Sequence, residues 1–440
     1  MPVSPKAQKI YAVFCGFFLL LGVISRILIY AKGQDLLLSE ALFWENMKPL
    51  IAGFSISELG LRLFPLLAGI ATLLLAYVFA RKEFGIEFAC IFLFLLVSSD
   101  PLLFYSVNFS MYSIEAFLVV LSLCVWSYSK RDKAALVSLI LLVSIFCIIC
   151  NYNENPGAYE FKEFFIQMLG RHFIDFHYFV FGPFIWINAA LFVLLLGFGS
   201  FLLYKEKKSL LLSIFIPVFI LALLHFLKIA PLGEPYNDFM RIMRNWSLVQ
   251  VTGSKELVFI MPLVFIPVAF CVHRVFLKVR TPTLIGVLTI FAILALSSNS
   301  IRMHKGIGSP QSAEVLLHIN ENATAKSLVY ADSASRPVLE YYMSRKPFKD
   351  NPNLNCLYVK KDGYMYLNDS IFIGKYGKNP VELFNVIKNF EAENGFFFFA
   401  FGSASSVRES NVVVDHIYKN YKGKSKGFQS KYAGVAWVRL

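Results

Sequence analysis

Charge is scarce in this sequence, and so are the motifs of soluble enzymes. Charged residues make up 16% of the 440 residues and hydrophobic residues 57%, a balance far from that of a soluble globular domain. The sequence contains no glycine-rich phosphate-binding loop and no HExxH pattern. P-loop nucleotide hydrolysis and zincin-type proteolysis therefore have no support from sequence motifs.

Cysteine and histidine are also few and widely spread. Six of the seven cysteines lie within or beside apolar runs, and only Cys356 falls in the polar C-terminal region. No disulfide framework is available there. The seven histidines are scattered, and the spacing of His172 and His177 fits no usual helical metal pair. The sequence predicts no metal site and no cofactor, with a divalent metal left open.

Apolar sequence is what the chain has in abundance. A helix that spans a bilayer needs ~20 mostly apolar residues. Nine runs suit this length, near residues 10–30, 61–80, 86–104, 112–129, 134–150, 183–204, 209–227, 257–275 and 282–298. The chain is therefore predicted to be a polytopic α-helical membrane protein with about nine transmembrane helices.

Short basic clusters occupy alternate connections between these runs. The clusters are Lys6 and Lys9, Arg81 and Lys82, Lys130 to Lys133, Lys205 to Lys208, and Arg274 to Arg280. The positive-inside rule places all of them, and the N-terminus, in the cytoplasm. The net charge of +13 is then a topology signal beside anionic lipids, and nucleic acid is not predicted as a partner.

The composition of the chain becomes more polar near residue 300. We expect a transmembrane domain over 1–299 and a small extracytoplasmic (periplasmic) α/β domain over 300–440, because short strands and helices alternate there. Predicted strands are 326–330, 355–359, 396–401 and 433–440, and predicted helices are 335–343, 380–393 and 411–421. This domain is predicted to hold no catalytic residue, and its run Phe396–Phe399 is predicted to be core and not an acceptor platform.

The first predicted extracytoplasmic loop holds a candidate base. Glu40 lies among aromatic and aliphatic residues just outside the first apolar run. A carboxylate in such surroundings can have a raised pKa and act as a general base. The alternative is a solvated loop glutamate. Asp35 is the substitute if the loop has a different register.

Basic residues beside the predicted spans are candidates for binding a phosphate. Arg26 and Arg62 lie at the extracytoplasmic ends of the first two runs. They are either snorkelling side chains or a phosphate clamp, for which a planar guanidinium is well suited.

A second basic set follows the seventh run. His225 and Lys228 end that run, and Arg241 and Arg244 follow with a spacing that shares one face of a helix. Together they suit a monophosphate or diphosphate, and an ordinary amphipathic interface helix gives the same pattern.

Three stretches carry a resemblance to a known family. The segment Glu58–Gly85 resembles the second span of the GT-C membrane glycosyltransferases, and within them the bacterial dolichyl-phosphate-mannose–protein mannosyltransferase-like group. The segment Ser98–Ser113 looks like that family's Tyr-Ser element before the fourth span. Ser39-Glu40-Ala41 stands where the family has Asp-Glu-Ala.

The resemblance implies a fold and an activity. Such enzymes transfer a sugar from a polyprenyl-phosphate carrier to a protein, lipid or glycan acceptor on the non-cytoplasmic side of the bacterial inner membrane, with inversion. It implies Glu40, or Asp35, as the catalytic carboxylate, and basic residues that hold the donor phosphate. The members of that donor set are Arg62, Arg241, Arg244, Lys228 and His225.

Departures from the family pattern motivate a second hypothesis. Ser39 replaces the family's first acidic residue, and the acidic and basic positions of the Tyr-Ser element are occupied by Asn108 or Phe109 and by Met111. A non-catalytic relative, acting as a binding or assembly subunit in envelope glycan biosynthesis, would tolerate these changes. A secondary transporter is disfavoured, because intramembrane charges are few and no inverted repeat is present.

Overall fold

The structure is a computed structural model of the 440-residue chain, and it falls into two compact units. It describes residues 5–32, 40–41, 44, 58–128, 185–226, 260–276 and, with short gaps, 312–439. One unit comprises Met1–Lys32, Leu59–Met243 and Val249–His304. The other comprises Gly33–Glu58, Arg244–Leu248 and Lys305–Leu440. Its main part thus begins close to the boundary predicted at residue 300.

All regular secondary-structure elements described in the first unit are helices. Its helices are α1 (Pro5–Lys32), α2 (Glu58–Phe84), α3 (Ile86–Val97), α4 (Asp100–Tyr105), α5 (Tyr112–Tyr128), α6 (Ile185–Phe226) and α7 (Met261–Phe276). They overlap seven of the predicted apolar runs, and the runs 134–150 and 282–298 lie outside the described residues. The predicted single span 86–104 is instead two short helices, α3 and α4, separated at Ser98 and Ser99. Lys207 interrupts α6 with non-helical angles (φ −138°, ψ 54°), so this element is two helices, as its two apolar runs predict.

Two described helices, over Pro5–Ala31 and Leu59–Phe84, are long and apolar enough to cross a membrane. Shorter apolar helices cover Ile86–Val97, Tyr112–Tyr128 and Met261–Arg274. Helix α1 also exposes large apolar side chains, including Val13, Leu20 and Leu28, and such a stripe suits lipid contact better than water. These features support membrane association, and the nine-span topology stays a prediction.

The predicted cytoplasmic ends of several helices meet around Glu83 of α2. The Lys207 ammonium donates to the Glu83 carbonyl (2.5 Å) and to its carboxylate Oε2 (3.2 Å), and Ser127 Oγ donates to Oε1 (2.7 Å). Glu206, the residue before Lys207, forms an ion pair with Arg274 of α7. The ends of α2 and α5, the break in α6 and the end of α7 are therefore tied together.

The second unit is built on one seven-stranded sheet with strand order β4-β3-β2-β1-β5-β7-β6. Its elements are α8 (Ser312–Asn322), β1 (Ser327–Ala331), α9 (Arg336–Met343), β2 (Asn355–Val359), β3 (Tyr364–Leu367), β4 (Ile371–Lys375), α10 (Pro380–Asn389), β5 (Asn394–Ala400), α11 (Ala404–Asn420), β6 (Ser425–Gln429) and β7 (Ala433–Arg439). Strand β1 runs parallel to β2 and β5. The pairs β2–β3, β3–β4, β5–β7 and β6–β7 are antiparallel.

Helices cover both faces of the central strands. Tyr330 and Phe397 face a core completed by Leu383 and Phe384 of α10 and Val413 of α11. The alternate residues of these strands face the other side, where α8 and α9 pack. The predicted α/β domain is thus confirmed, and Phe396–Phe399 is fully interior. This burial confirms the prediction of core, since a strand covered on both faces reads as a continuous apolar run.

Candidate functional site

Arg26 of α1 is an arginine enclosed within an apolar helix bundle. It is 2% exposed, and its Nη1 donates to the carbonyl of Gly22, one turn earlier, at 3.0 Å. Its Nε has no hydrogen-bond partner among the residues that the structure describes. Ionisable groups inside membrane helices are costly and usually mark a functional site, so Arg26 is the strongest candidate for contact with an anion.

Gly69 of α2 provides the room that Arg26 occupies. A Cβ placed on Gly69 would lie 2.4 Å from Ser106 Cβ and 3.3 Å from Arg26 Nε. Only a glycine at this position lets the α2 backbone, Ser106 and the guanidinium approach so closely. The Ser106 hydroxyl donates to the Leu103 carbonyl at 2.7 Å, which fixes its position beside Arg26.

Arg62, a predicted phosphate ligand, is also 2% exposed. It precedes Gly69 by two helical turns, about 10 Å along α2, and lies on the same helical face. The Tyr30 hydroxyl donates to the Leu59 carbonyl at 2.8 Å, so the end of α1 and the start of α2 lie together. Since neither Arg26 nor Arg62 reaches the surface, the snorkelling alternative does not describe them.

Further buried polar residues come from the segment between α4 and α5. Glu115 is fully buried on the first turn of α5, and Asn108 is buried before it. The Ser113 hydroxyl donates to the Pro65 carbonyl at 2.9 Å, and Pro65 lies between Arg62 and Gly69 on α2. This end of the helical unit therefore gathers cations, a carboxylate and hydroxyls within apolar walls.

Glu115 was missed by the sequence analysis, although a signal was present. It is the single acidic residue within the apolar run 112–129, and a carboxylate inside a predicted span marks a functional site by default.

Glu40, the predicted base, groups with the second unit and is fully buried, as is Ala41. The nearby Trp44 ring packs edge-to-face on Tyr341 of α9, with ring centroids 5.2 Å apart. The burial of Glu40 disagrees with the alternative of a solvated loop glutamate. Its substitute, Asp35, lies outside the described residues.

The remaining predicted phosphate ligands have no described side chains. His225 lies on the last turn of α6, and only its backbone is described, while Lys228, Arg241 and Arg244 lie outside the described residues. Among the described residues, no group of three or more His, Cys, Asp or Glu side chains is arranged to hold a metal ion.

Acidic and hydroxyl groups at the carboxyl ends of β1 and β5 make structural contacts. Asp332 Oδ1 accepts from the Ser335 backbone N–H, and Ser335 Oγ accepts from the Ala400 backbone N–H, both at 2.8 Å. Arg336 Nε donates to Glu340 Oε1 at 2.5 Å. These bonds join α9 to the sheet. Ser425, in the sequence Gly-Lys-Ser-Lys-Gly, starts the edge strand β6 and is not on the strand-to-helix turn on which α/β-hydrolases carry the serine of such a motif.

No protein-family model matches the chain, and no curated protein sequence matches it either.

Proposed function

We propose that this protein is a membrane glycosyltransferase that takes a sugar from a polyprenyl-phosphate carrier on the non-cytoplasmic side of the inner membrane. The observation that carries the proposal is the burial of Arg26 on a described helix that is long and apolar enough to span a membrane, with its Nε unpaired among the described residues. A buried guanidinium is costly without an anion. A lipid-linked phosphate brings an anion to this depth, because its hydrocarbon chain stays in the bilayer.

The proposed topology is the one derived from the basic clusters. Nine spans, a cytoplasmic N-terminus and an extracytoplasmic α/β domain agree with the shared position of Glu83, Lys207 and Arg274 at one end of the helical unit. Arg26 and Arg62 then lie toward the opposite, extracytoplasmic end.

The proposed chemistry is a single displacement at the anomeric carbon. An acceptor oxygen forms the new bond to this carbon while the bond to the phosphate oxygen breaks, which inverts the anomeric centre. The acceptor proton passes to a carboxylate, and the departing lipid phosphate takes the electron pair. Buried guanidinium groups stabilise that charge. The role of Glu40 as the base, with Asp35 as substitute, rests on the sequence, as do the roles of Arg241, Arg244, Lys228 and His225.

A second candidate function is a non-catalytic subunit of envelope glycan biosynthesis. It is favoured by Ser39, which stands where the resembling family has an acidic residue. Such a subunit would bind the lipid-linked sugar through the same arginines and would not release it.

The test uses the full-length protein in lipid nanodiscs with a radiolabelled polyprenyl-phosphate sugar. A transferase is expected to release the label from the lipid in the presence of acceptor, and Glu40→Gln is expected to slow release ~10²- to 10⁴-fold. Glu314→Gln, a change at an exposed glutamate of α8, is the matched control. Binding without any release would support the second candidate, and the absence of both would reject the two functions together.

A further inference from the structure

The C-terminal unit carries a groove that none of the roles above uses. Its volume is about 310 Å³, and it is lined by α9, the turn Phe348–Asp350, β2 and the end of β3. The groove lies on the sheet face that carries the buried Tyr358, opposite the face covered by α10 and α11. This volume is at the lower end of the ~300–1,000 Å³ range of small-molecule sites.

Polar groups of several kinds line this groove. They are the Glu340 carboxylate, the Ser344 hydroxyl, the Lys349 ammonium and the amides of Asn351 and Asn368. One acid and one base balance each other, so the groove has no excess of positive charge for a phosphate or nucleotide. The Ser344 hydroxyl and the Asn351 and Asn368 side-chain N–H groups donate within the protein. The Lys349 ammonium supplies donors and the carboxylate and amide oxygens supply acceptors, and this mixture suits a neutral ligand with many hydroxyl groups.

Several of these groups are held in place before any ligand binds. The hydrogen bond from Arg336 orients Glu340. Asn368 has a left-handed backbone (φ 48°). Its side-chain oxygen Oδ1 accepts from the Cys356 backbone N–H, and its own backbone N–H donates to the Cys356 carbonyl, both at 2.8 Å. Groups that are already ordered lose less entropy on binding.

Peptide addition and thiol chemistry fit this groove poorly. Strand β2 is paired on both sides, with β1 and β3, so it offers no free edge to an extended peptide. The Cys356 thiol in the groove wall is buried, and desolvation raises its pKa to about 12. It therefore stays protonated at neutral pH and is not a nucleophile.

We propose that this groove binds a short neutral saccharide. The Glu340 carboxylate, the Lys349 ammonium and the Asn351 amide oxygen would hydrogen-bond adjacent sugar hydroxyls, and the half-buried Met343 and Leu354 side chains would cover a sugar face. This inference goes beyond the transferase proposal and does not depend on it, because the groove lies wholly within the C-terminal unit.

The experiment titrates full-length detergent-solubilised protein with a panel of neutral mono- and oligosaccharides, followed by saturation-transfer NMR. Wild type is expected to bind at least one of them. Ser344→Trp places a large ring at an exposed position of the groove and is expected to abolish binding. Glu340→Gln is expected to weaken binding about tenfold, the effect of losing roughly one hydrogen bond to a charged group. Glu314→Gln, on α8 and outside the groove lining, is the matched control and is expected to leave binding unchanged.

The variants are compared only where their melting temperatures equal that of wild type. If Ser344→Trp does not fold, Lys349→Ala, which truncates an exposed side chain, takes its place and is expected to weaken binding. Absence of saccharide binding to wild type, undiminished binding after these changes, or displacement of the saccharide by inorganic phosphate would overturn the proposal. A negative result in the donor-release assay would leave this binding intact.

Discussion

Arg26 Nε lies 3.3 Å from the position that a Cβ would take on Gly69. The guanidinium of an arginine on α1 thus lies beside the backbone of α2. The contact is possible only because residue 69 has no side chain. It places a cation inside the helical unit, with its Nε unpaired among the residues that the structure describes.

Gly69→Ala is expected to destabilise the protein. The new methyl would lie 2.4 Å from Ser106 Cβ, an atom that cannot move without its backbone. Overpacking of this kind costs about 1–3 kcal/mol, more than the gain in helix propensity of about 1 kcal/mol. Thermal unfolding in detergent measures the change. Gly16→Ala is the matched control, since nothing lies within 4 Å of a Cβ there, and an equal shift of the two melting temperatures would contradict the packing argument.

Arg26→Leu is expected to leave stability unchanged or to raise it, because it removes a buried charge whose hydrogen bonds are incomplete. Binding of the polyprenyl-phosphate sugar should weaken roughly 10- to 100-fold, the effect of losing hydrogen bonds to an ionised group. Binding to the purified variant in nanodiscs measures this. Arg81→Leu, at an exposed position near the opposite end of α2, should bind as wild type. Unchanged binding by Arg26→Leu would exclude this arginine from the donor site.

Glu83→Gln is expected to lower stability by about 1–2 kcal/mol, because it removes the charge that Lys207 and Ser127 contact. Donor binding should not change, since Glu83 lies at the other end of the helical unit. A double-mutant cycle with Lys207→Met measures the coupling between the two side chains. A coupling energy of zero would show that the ion pair contributes nothing to stability.

The Cys356 thiol is expected to resist maleimide at pH 7–9. Burial raises its pKa to about 12, so the reactive thiolate is almost absent below that pH. The quantity to measure is the labelling rate of folded protein against the rate after denaturation. Comparable rates in the two states would contradict the burial of this side chain.

A cysteine introduced into the C-terminal unit tests on which side of the membrane this unit lies. Asn385→Cys lies on an exposed position of α10, so a membrane-impermeant maleimide should label it in intact spheroplasts. Labelling that requires an opened membrane would place the C-terminal unit in the cytoplasm and reject the nine-span scheme. The same position in the permeabilised sample is the control for reactivity.

Local elements were predictable because their signals are local. The helices of the first unit follow from the length of continuous apolar runs, and the break in α6 from the lysines around Lys207. Strand β2 was predicted with the bounds that the structure has, Asn355–Val359, since it is a short apolar run on a buried sheet. Strands β3, β4 and β6 and helix α8 were missed. The three strands are short and flank the central strands, and exposed residues such as Ile371 and Phe372 leave them without a clear alternation.

The sequence by itself determined the class of most described segments and the alternation of basic clusters, and it predicted a division near residue 300, because these depend on composition and spacing. Only the tertiary structure decided which polar side chains are enclosed. From the sequence, Arg26 and Arg62 are either snorkelling residues or a phosphate clamp, and both are buried in the folded helical unit. Glu115 and the groove beside Tyr358 likewise depend on elements distant in sequence. Whether a side chain is buried depends on which elements pack against it, and the local sequence does not show which elements pack together.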